Sequence, residues 1–168
     1  MRKVFLTLAV AAAITLTACG SHATDSQADG TEGNDTTEAV MPVEVPATPG
    51  LAKKLIEENT FIDIDYPALA AKVNEAMFDS TKITPELSED VARGKAAIYR
   101  LAMHTKVVDS LMVYDGTPAK ALNISEAILE VWTKSLDDNN ATFKQWKEKG
   151  LDFEVPEFDN EYLESLLK

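Results

Sequence analysis

Residues 84–116 carry the most regular apolar pattern in the chain, and they read TPELSEDVARGKAAIYRLAMHTKVVDSLMVYDG. One stripe runs through them with spacings that alternate between four and three: Leu87, Val91, Gly94, Ile98, Leu101, Thr105, Val108 and Met112. This period is typical of the buried face of an α-helix. Thr84 and Pro85 supply a capping hydroxyl and a proline suited to the first helical position. The pattern therefore predicts a helix of about 28 residues that ends before Asp115-Gly116.

A second stripe begins a short distance further along the chain. Its members show the same spacing: Ile128, Trp132, Leu136, Asn139, Phe143 and Trp146. Asn123 and Glu126 are typical of a capping pair at its start, and Lys149-Gly150 suits its end. Two long striped helices joined by a short turn predict an antiparallel pair. We therefore expect an all-α fold, a small helical bundle built on a long antiparallel helical hairpin.

Shorter helices are expected around this pair, over residues 51–59 and 67–79 and at the C-terminal end. In residues 151–158, LDFEVPEF, apolar and acidic side chains alternate. A last short helix then carries an apolar stripe of Tyr162, Leu163, Leu166 and Leu167. A helix this short is unstable alone, so we expect the tail to pack on the third and fourth helices. The alternative is an amphipathic segment that binds a partner.

The first 18 residues have the features of a secretory signal. Arg2 and Lys3 precede an uncharged, largely apolar run that ends at Thr17. This run is too short to span a bilayer, which takes about 20 residues. Its end, Leu16-Thr17-Ala18-Cys19, resembles the lipobox of bacterial lipoproteins. The resemblance implies cleavage before Cys19, diacylglycerol on the cysteine sulfur and commonly a further acyl chain, such as palmitate, on the new amino group.

Residues 19–50 have the composition of a spacer. They contain six acidic residues, no lysine or arginine and no aromatic residue. Such a segment buries too little apolar surface to offset the entropy of ordering it. We therefore predict three regions: a signal peptide at 1–18, a lipidated cysteine with a flexible acidic linker at 19–50, and a helical domain at 51–168. The last is long enough for one core.

The charge balance limits the possible partners. The chain has 16 basic and 28 acidic residues, a net charge of −12. Removal of Arg2 and Lys3 with the signal leaves 14 − 28 = −14. This charge repels phosphate backbones, so we expect no binding to nucleic acid. Membrane attachment would instead depend on the lipid of Cys19, because two or three acyl chains anchor a protein firmly.

Few residues are suited to catalysis or metal binding. The histidines are His22, in the predicted linker, and His104. Arg93, Arg100 and His104 fall along one face of the third helix, which indicates either an anion-binding groove or a solvated surface. The sequence has no Gly-x-Ser-x-Gly elbow, no HExxH and no glycine-rich phosphate loop. We therefore expect no catalytic residues, no metal site and no cofactor.

These features predict a non-enzymatic lipoprotein of the cell envelope. The leading interpretation is a protein-binding or accessory module, attached through Cys19 and able to reach an envelope partner. The alternative is a lipoprotein that binds a small ligand, such as a glycan or peptide, between its helices. The residue after the cysteine is Gly20 and not an aspartate. In a source with two membranes, this resembles lipoproteins sent to the outer membrane.

Overall fold

The computed structural model describes residues 42–168, which form five α-helices and one β-hairpin. The helices are α1 (Leu51–Glu57), α2 (Tyr66–Phe78), α3 (Pro85–Ala102), α4 (Glu126–Glu148) and α5 (Asn160–Leu166). The strands are β1 (Thr105–Val108) and β2 (Leu111–Tyr114), and short 3-10 helices span Ser80–Lys82 and Ala119–Leu122. None of the helices in this part of the chain is long and apolar enough to cross a membrane. The predicted signal peptide, Cys19, His22 and most of the predicted linker lie outside the described residues.

The prediction of an all-α fold built on a long antiparallel helical hairpin is wrong. The third helix ends at Ala102, and the residues expected to continue it form the antiparallel strands β1 and β2. The β-hairpin and the second 3-10 helix separate α3 from α4, which touch over a short stretch. Helix α3 packs more extensively on α1, α2 and α5. The domain is therefore of mixed α/β type.

Residues 105–114 do not continue the helix for a local reason. Val107, Val108 and Val113 are β-branched and favour strands over helices. Asp109 and Ser110 adopt positive φ angles of 52° and 65°. Two such residues form the tight turn that matches the twist of a two-stranded ribbon. The helical stripe holds through Leu101, which is buried, and fails at Val108, which is 50% exposed.

The fourth helix forms with the predicted buried face but a different start. Five members of its stripe are buried: Ile128, Trp132, Leu136, Asn139 and Phe143. Asn123 does not cap it, because this residue takes a left-handed conformation at the end of the preceding 3-10 helix. Asparagine tolerates that conformation better than most residues. Ser125 is the N-terminal flanking residue of α4 instead.

The buried side chains form two clusters. The larger one lies among α1, α3, α4 and α5 and contains Ile98, Leu101, Trp132 and Phe143. The smaller one joins α2 to the first half of α3. Its members are Val45, Leu69, Val73, Ala76, Met77, Leu87 and Val91.

Residues 43–48 also lie against this smaller cluster. The Val43 N–H donates to the Met77 carbonyl over 2.8 Å, and the Thr48 N–H donates to the Ser88 carbonyl over 3.0 Å. Val45 is 8% exposed. The packed structure therefore includes residues that precede Leu51.

The C-terminal tail packs on the third and fourth helices, as its apolar stripe predicts. Phe153 stacks on Phe143 with ring centroids 5.7 Å apart and an interplanar angle of 5°. The ring centroids of Phe158 and Trp132 are 5.6 Å apart. Leu166 in α5 is fully buried, and α5 contacts α3. The tail therefore completes the larger cluster.

The strained turn of the hairpin yields a stability prediction. Ser110→Gly should raise the free energy of unfolding by about 0.5–1 kcal/mol, because glycine adopts a positive φ without a steric cost. Urea denaturation followed by circular dichroism measures the change. As a control, the same substitution at Ser88 in α3 should lower stability by roughly 0.5 kcal/mol. Equal effects at the two sites would contradict this account of the turn.

Candidate functional site

Arg100 is a buried structural residue. It is 8% exposed, and its Nη1 donates to the carbonyls of Thr60, Leu122 and Asn123 at 2.9, 3.1 and 3.0 Å. Its Nη2 donates to the Leu55 carbonyl at 2.9 Å. Burial lowers the pKa of the guanidinium below its ordinary value. These carbonyls end α1 and the second 3-10 helix, so the arginine joins segments that are distant in the chain.

Arg93 lies on the exposed surface of α3 and interacts with acidic neighbours. Its guanidinium is 3.3 Å from Asp90 and 3.8 Å from Glu89. Asp90 also lies 3.9 Å from the ammonium of Lys72 in α2. Exposed pairs of this kind contribute at most about 1 kcal/mol each. Arg93 therefore belongs to a solvated charge network between α2 and α3.

His104 lies just beyond the end of α3, at the base of the hairpin. Its Nδ1 is 2.8 Å from Asp115 Oδ2 and 3.0 Å from Thr117 Oγ1. The Thr117 hydroxyl donates to Asp115 Oδ1 over 2.7 Å, and the Thr117 N–H donates to the same oxygen over 2.9 Å. The Thr117 hydroxyl, followed by His104, lowers the pKa of Asp115 to about 2. This cluster closes the loop that follows β2.

The three candidate residues for anion binding therefore have separate environments. Arg100 binds backbone carbonyls, Arg93 pairs with carboxylates and His104 contacts Asp115 and Thr117. Within residues 42–168, no two of them share a partner. Anion binding stays a prediction that requires these interactions to rearrange.

The acidic side chains do not converge either. In the part of the chain that the structure describes, no three or more His, Cys, Asp or Glu residues are placed to hold a metal ion. The acidic residues of the tail, between Asp152 and Glu164, are thus spread along the surface.

The hairpin presents exposed apolar side chains on one of its faces. Residues that pair across an antiparallel ladder share a face. Lys106 pairs with Val113 and Val108 pairs with Leu111, and these four residues form what we call the outer face. Val108 is 50% exposed and Val113 is 46% exposed, while Leu111 is partly buried. The exposed apolar part of the outer face is therefore Val108 and Val113, because Leu111 packs against the larger cluster.

The opposite face of the hairpin packs on α4. Met112 is buried in the larger cluster. The Thr105 hydroxyl donates to the Leu101 carbonyl over 2.9 Å and accepts from Trp132 Nε1 over 3.2 Å. These contacts fix the base of the hairpin and so fix the direction of the outer face.

The outer edges of the two strands differ in their hydrogen bonding. On β2, the Asn140 side chain accepts from the Met112 N–H and donates to the Met112 carbonyl, each over 2.8 Å. The amide thereby reproduces the two bonds that a neighbouring strand would make. On β1, no group among the described residues bonds to Val107 across the corresponding edge. We call this the open edge of β1.

The sequence does contain a signal for this site that the helical stripe obscured. Val107-Val108 and Leu111-Met112-Val113 flank Asp109-Ser110, which is a strand–turn–strand pattern. Asn140 gave no such signal, because its partner Met112 is 28 residues away.

No family model, curated protein or solved structure matches the chain.

The buried guanidinium leads to a stability prediction. Arg100→Met should lower the free energy of unfolding by about 2–4 kcal/mol, since among the described residues it leaves the carbonyls of Thr60 and Leu122 without a donor. The matched change Arg93→Met should cost at most about 0.5 kcal/mol, because it removes exposed ion pairs. Urea denaturation of both variants distinguishes the two roles. A small effect at Arg100 would show that water replaces its bonds.

The low pKa of Asp115 leads to a pH prediction. Its folded pKa of about 2 lies below the ordinary value of 3.8, so the carboxylate favours the folded state at higher pH. Its contribution should be complete above pH 4 and decline as the pH falls towards 2. Asp115→Asn should reduce the loss of stability over this window, as measured by the urea midpoint.

Thr117→Val provides the control, because it removes the hydroxyl that is the largest cause of the shift. It should leave a smaller acid-dependent loss than the unchanged protein shows. Identical pH profiles for all three proteins would contradict the assignment.

Proposed function

We propose that this chain is a lipid-anchored lipoprotein of the cell envelope whose domain binds another envelope protein. In this role the domain has no enzymatic activity of its own. The observation that carries the proposal is the outer face of the hairpin, where Val108 and Val113 are about half exposed. Apolar side chains grouped on one surface are typical of protein interaction sites.

The N-terminal sequence supports the anchored location. Leu16-Thr17-Ala18-Cys19 resembles a lipobox, and an uncharged apolar run precedes it. Lipid on Cys19 would hold the domain at a membrane surface. Gly20 then favours the outer membrane where the source has two membranes.

The rigidity of the hairpin supports a role in binding. Thr105 is bonded to Leu101 and Trp132, and Asn140 holds Met112. A surface held in this way loses little conformational entropy when a partner binds, which favours affinity. The strongest candidates for other chemistry, Arg100 and His104, already interact with groups of the domain.

The anchor and the partner are tested together in cells. Cys19→Ala should abolish labelling by a fatty-acid probe and release the protein from membranes or leave it unprocessed. A photo-crosslinking residue at position 113, in the outer face, should capture one discrete partner in the otherwise unchanged lipoprotein. The same residue at exposed position 74 in α2 provides the control.

Two results would overturn the proposal. Fatty-acid labelling and membrane retention of the Cys19→Ala protein would show that Cys19 is not the anchor. Crosslinks of equal yield and identity from positions 113 and 74 would show that the outer face has no special role.

A further inference from the structure

We propose that the open edge of β1 binds an extended, basic segment of the partner protein as a third strand of the sheet. The inference rests on the proposed function, because it specifies how that partner is recognised. In this mode of binding, main-chain hydrogen bonds give affinity and alternate side chains give specificity.

The geometry of the ladder directs the backbone of Val107 outward. A two-residue turn closes the hairpin between Val108 and Leu111, which makes that pair hydrogen-bonded. The next pair, Val107 and Met112, is then not hydrogen-bonded, and its N–H and C=O groups point away from the hairpin. The bonds between Met112 and Asn140 agree with this alternation, since they lie on the outside of β2.

The contrast between the two edges supports a specific role for β1. An unpaired strand edge is a template for another strand. The domain covers this template on β2 with Asn140 and with helix α4, which packs against β2. Among the described residues no corresponding side chain bonds to Val107. One edge is thus satisfied within the chain, and the other has no such bond among residues 42–168.

The side chains next to the open edge define the pattern of the partner. Lys106 and Val108 point to the outer face, while Thr105 and Val107 point towards the domain. A strand added beside β1 would place every second side chain next to Val108 and extend the apolar outer face. The partner segment should therefore carry valine-like side chains at alternate positions.

Charge selects a basic partner over a second copy of this chain. The chain without its predicted signal carries 28 acidic and 14 basic residues, and two such molecules repel each other. Asp109 follows β1 directly at the tip of the hairpin, and Lys106 is the one basic residue of the two strands. A segment with lysine or arginine beside its apolar positions complements this surface.

The strand has four residues, so a single augmentation contact should be weak. Attachment of both proteins to the same envelope would raise the local concentration of one for the other. A weak edge contact is sufficient under those conditions.

The test uses the full chain, labelled with nitrogen-15 in detergent micelles, and synthetic peptides as probes. The first probe is an amidated seven-residue peptide of alternating lysine and valine. A second peptide replaces lysine with glutamate. A third retains lysine but is N-methylated at its lysines, whose N–H groups would face Val107 when the valines lie beside Val108. The first should bind saturably and shift the amide resonances of Thr105 and Val107. The second and third should bind roughly tenfold more weakly or not at all.

Variants of the hairpin complete the test. Val107→Pro removes the outward N–H, and proline is tolerated at such edge positions, so the hairpin should remain folded while binding falls roughly tenfold. Ser110→Gly alters the turn without changing the open edge and should bind as the unchanged protein does. If Val107→Pro disturbs the resonances of Met112 and Asn140, the N-methylated peptide alone decides the result.

The outcomes separate this inference from the proposed function. Equal binding of the N-methylated and unmodified peptides, shifts confined to other surfaces, or no binding at all would overturn the third-strand model. If position 113 still captures a partner in cells and Val107→Pro does not reduce that capture, the edge has no role although the proposed function stands. Loss of capture in that variant supports both.

Discussion

The guanidinium of Arg100 donates to carbonyls from two separate parts of the chain: Leu55 and Thr60 around the end of α1, and Leu122-Asn123 before α4. A buried cation is costly unless its donors are satisfied, and a carbonyl oxygen near a helix end has lone pairs free to accept from it. The same bonds bring together the segments that form the parallel bridge between Ile62 and Ile124. Through Arg100, helix α3 is therefore bonded both to the end of α1 and to the segment that precedes α4.

The position of the hairpin follows from that arrangement. Helix α3 ends two residues after Arg100, and β1 begins three residues later, so the strand leaves the helix close to the fixed junction. At the other end of the site, Asn140 in α4 meets Met112 in β2. The hairpin is thus held between two helices whose relative placement depends on Arg100. The outer face therefore keeps a fixed orientation relative to α3 and α4.

The sequence predicts the elements with local signals and misses those that depend on distant contacts. The stripe of α4, the stripe of α3 as far as Leu101 and the packing of Phe153 and Phe158 all follow from apolar periodicity. In residues 105–114 a helical and a strand pattern overlap, because Thr105 and Met112 are buried in either one. The β-branched residues and the Asp109-Ser110 turn decide for the strand. The sequence alone does not distinguish Arg100 from a ligand-binding residue, because the carbonyls that accept its hydrogen bonds lie 22 to 45 residues away.

The contacts of residues 43–48 with α2 and α3 determine where a pulling force on the N-terminal side would act on the domain. Any tension from a membrane anchor at Cys19 would arrive through this segment, where Val43 bonds to Met77, Val45 is buried and Thr48 bonds to Ser88. The small cluster between α2 and α3 would yield first under such a pull. The larger cluster, which supports the hairpin, lies further along the path of the force. Movement of the envelope could then peel a few N-terminal residues from the surface and lengthen the connection while the hairpin keeps its shape.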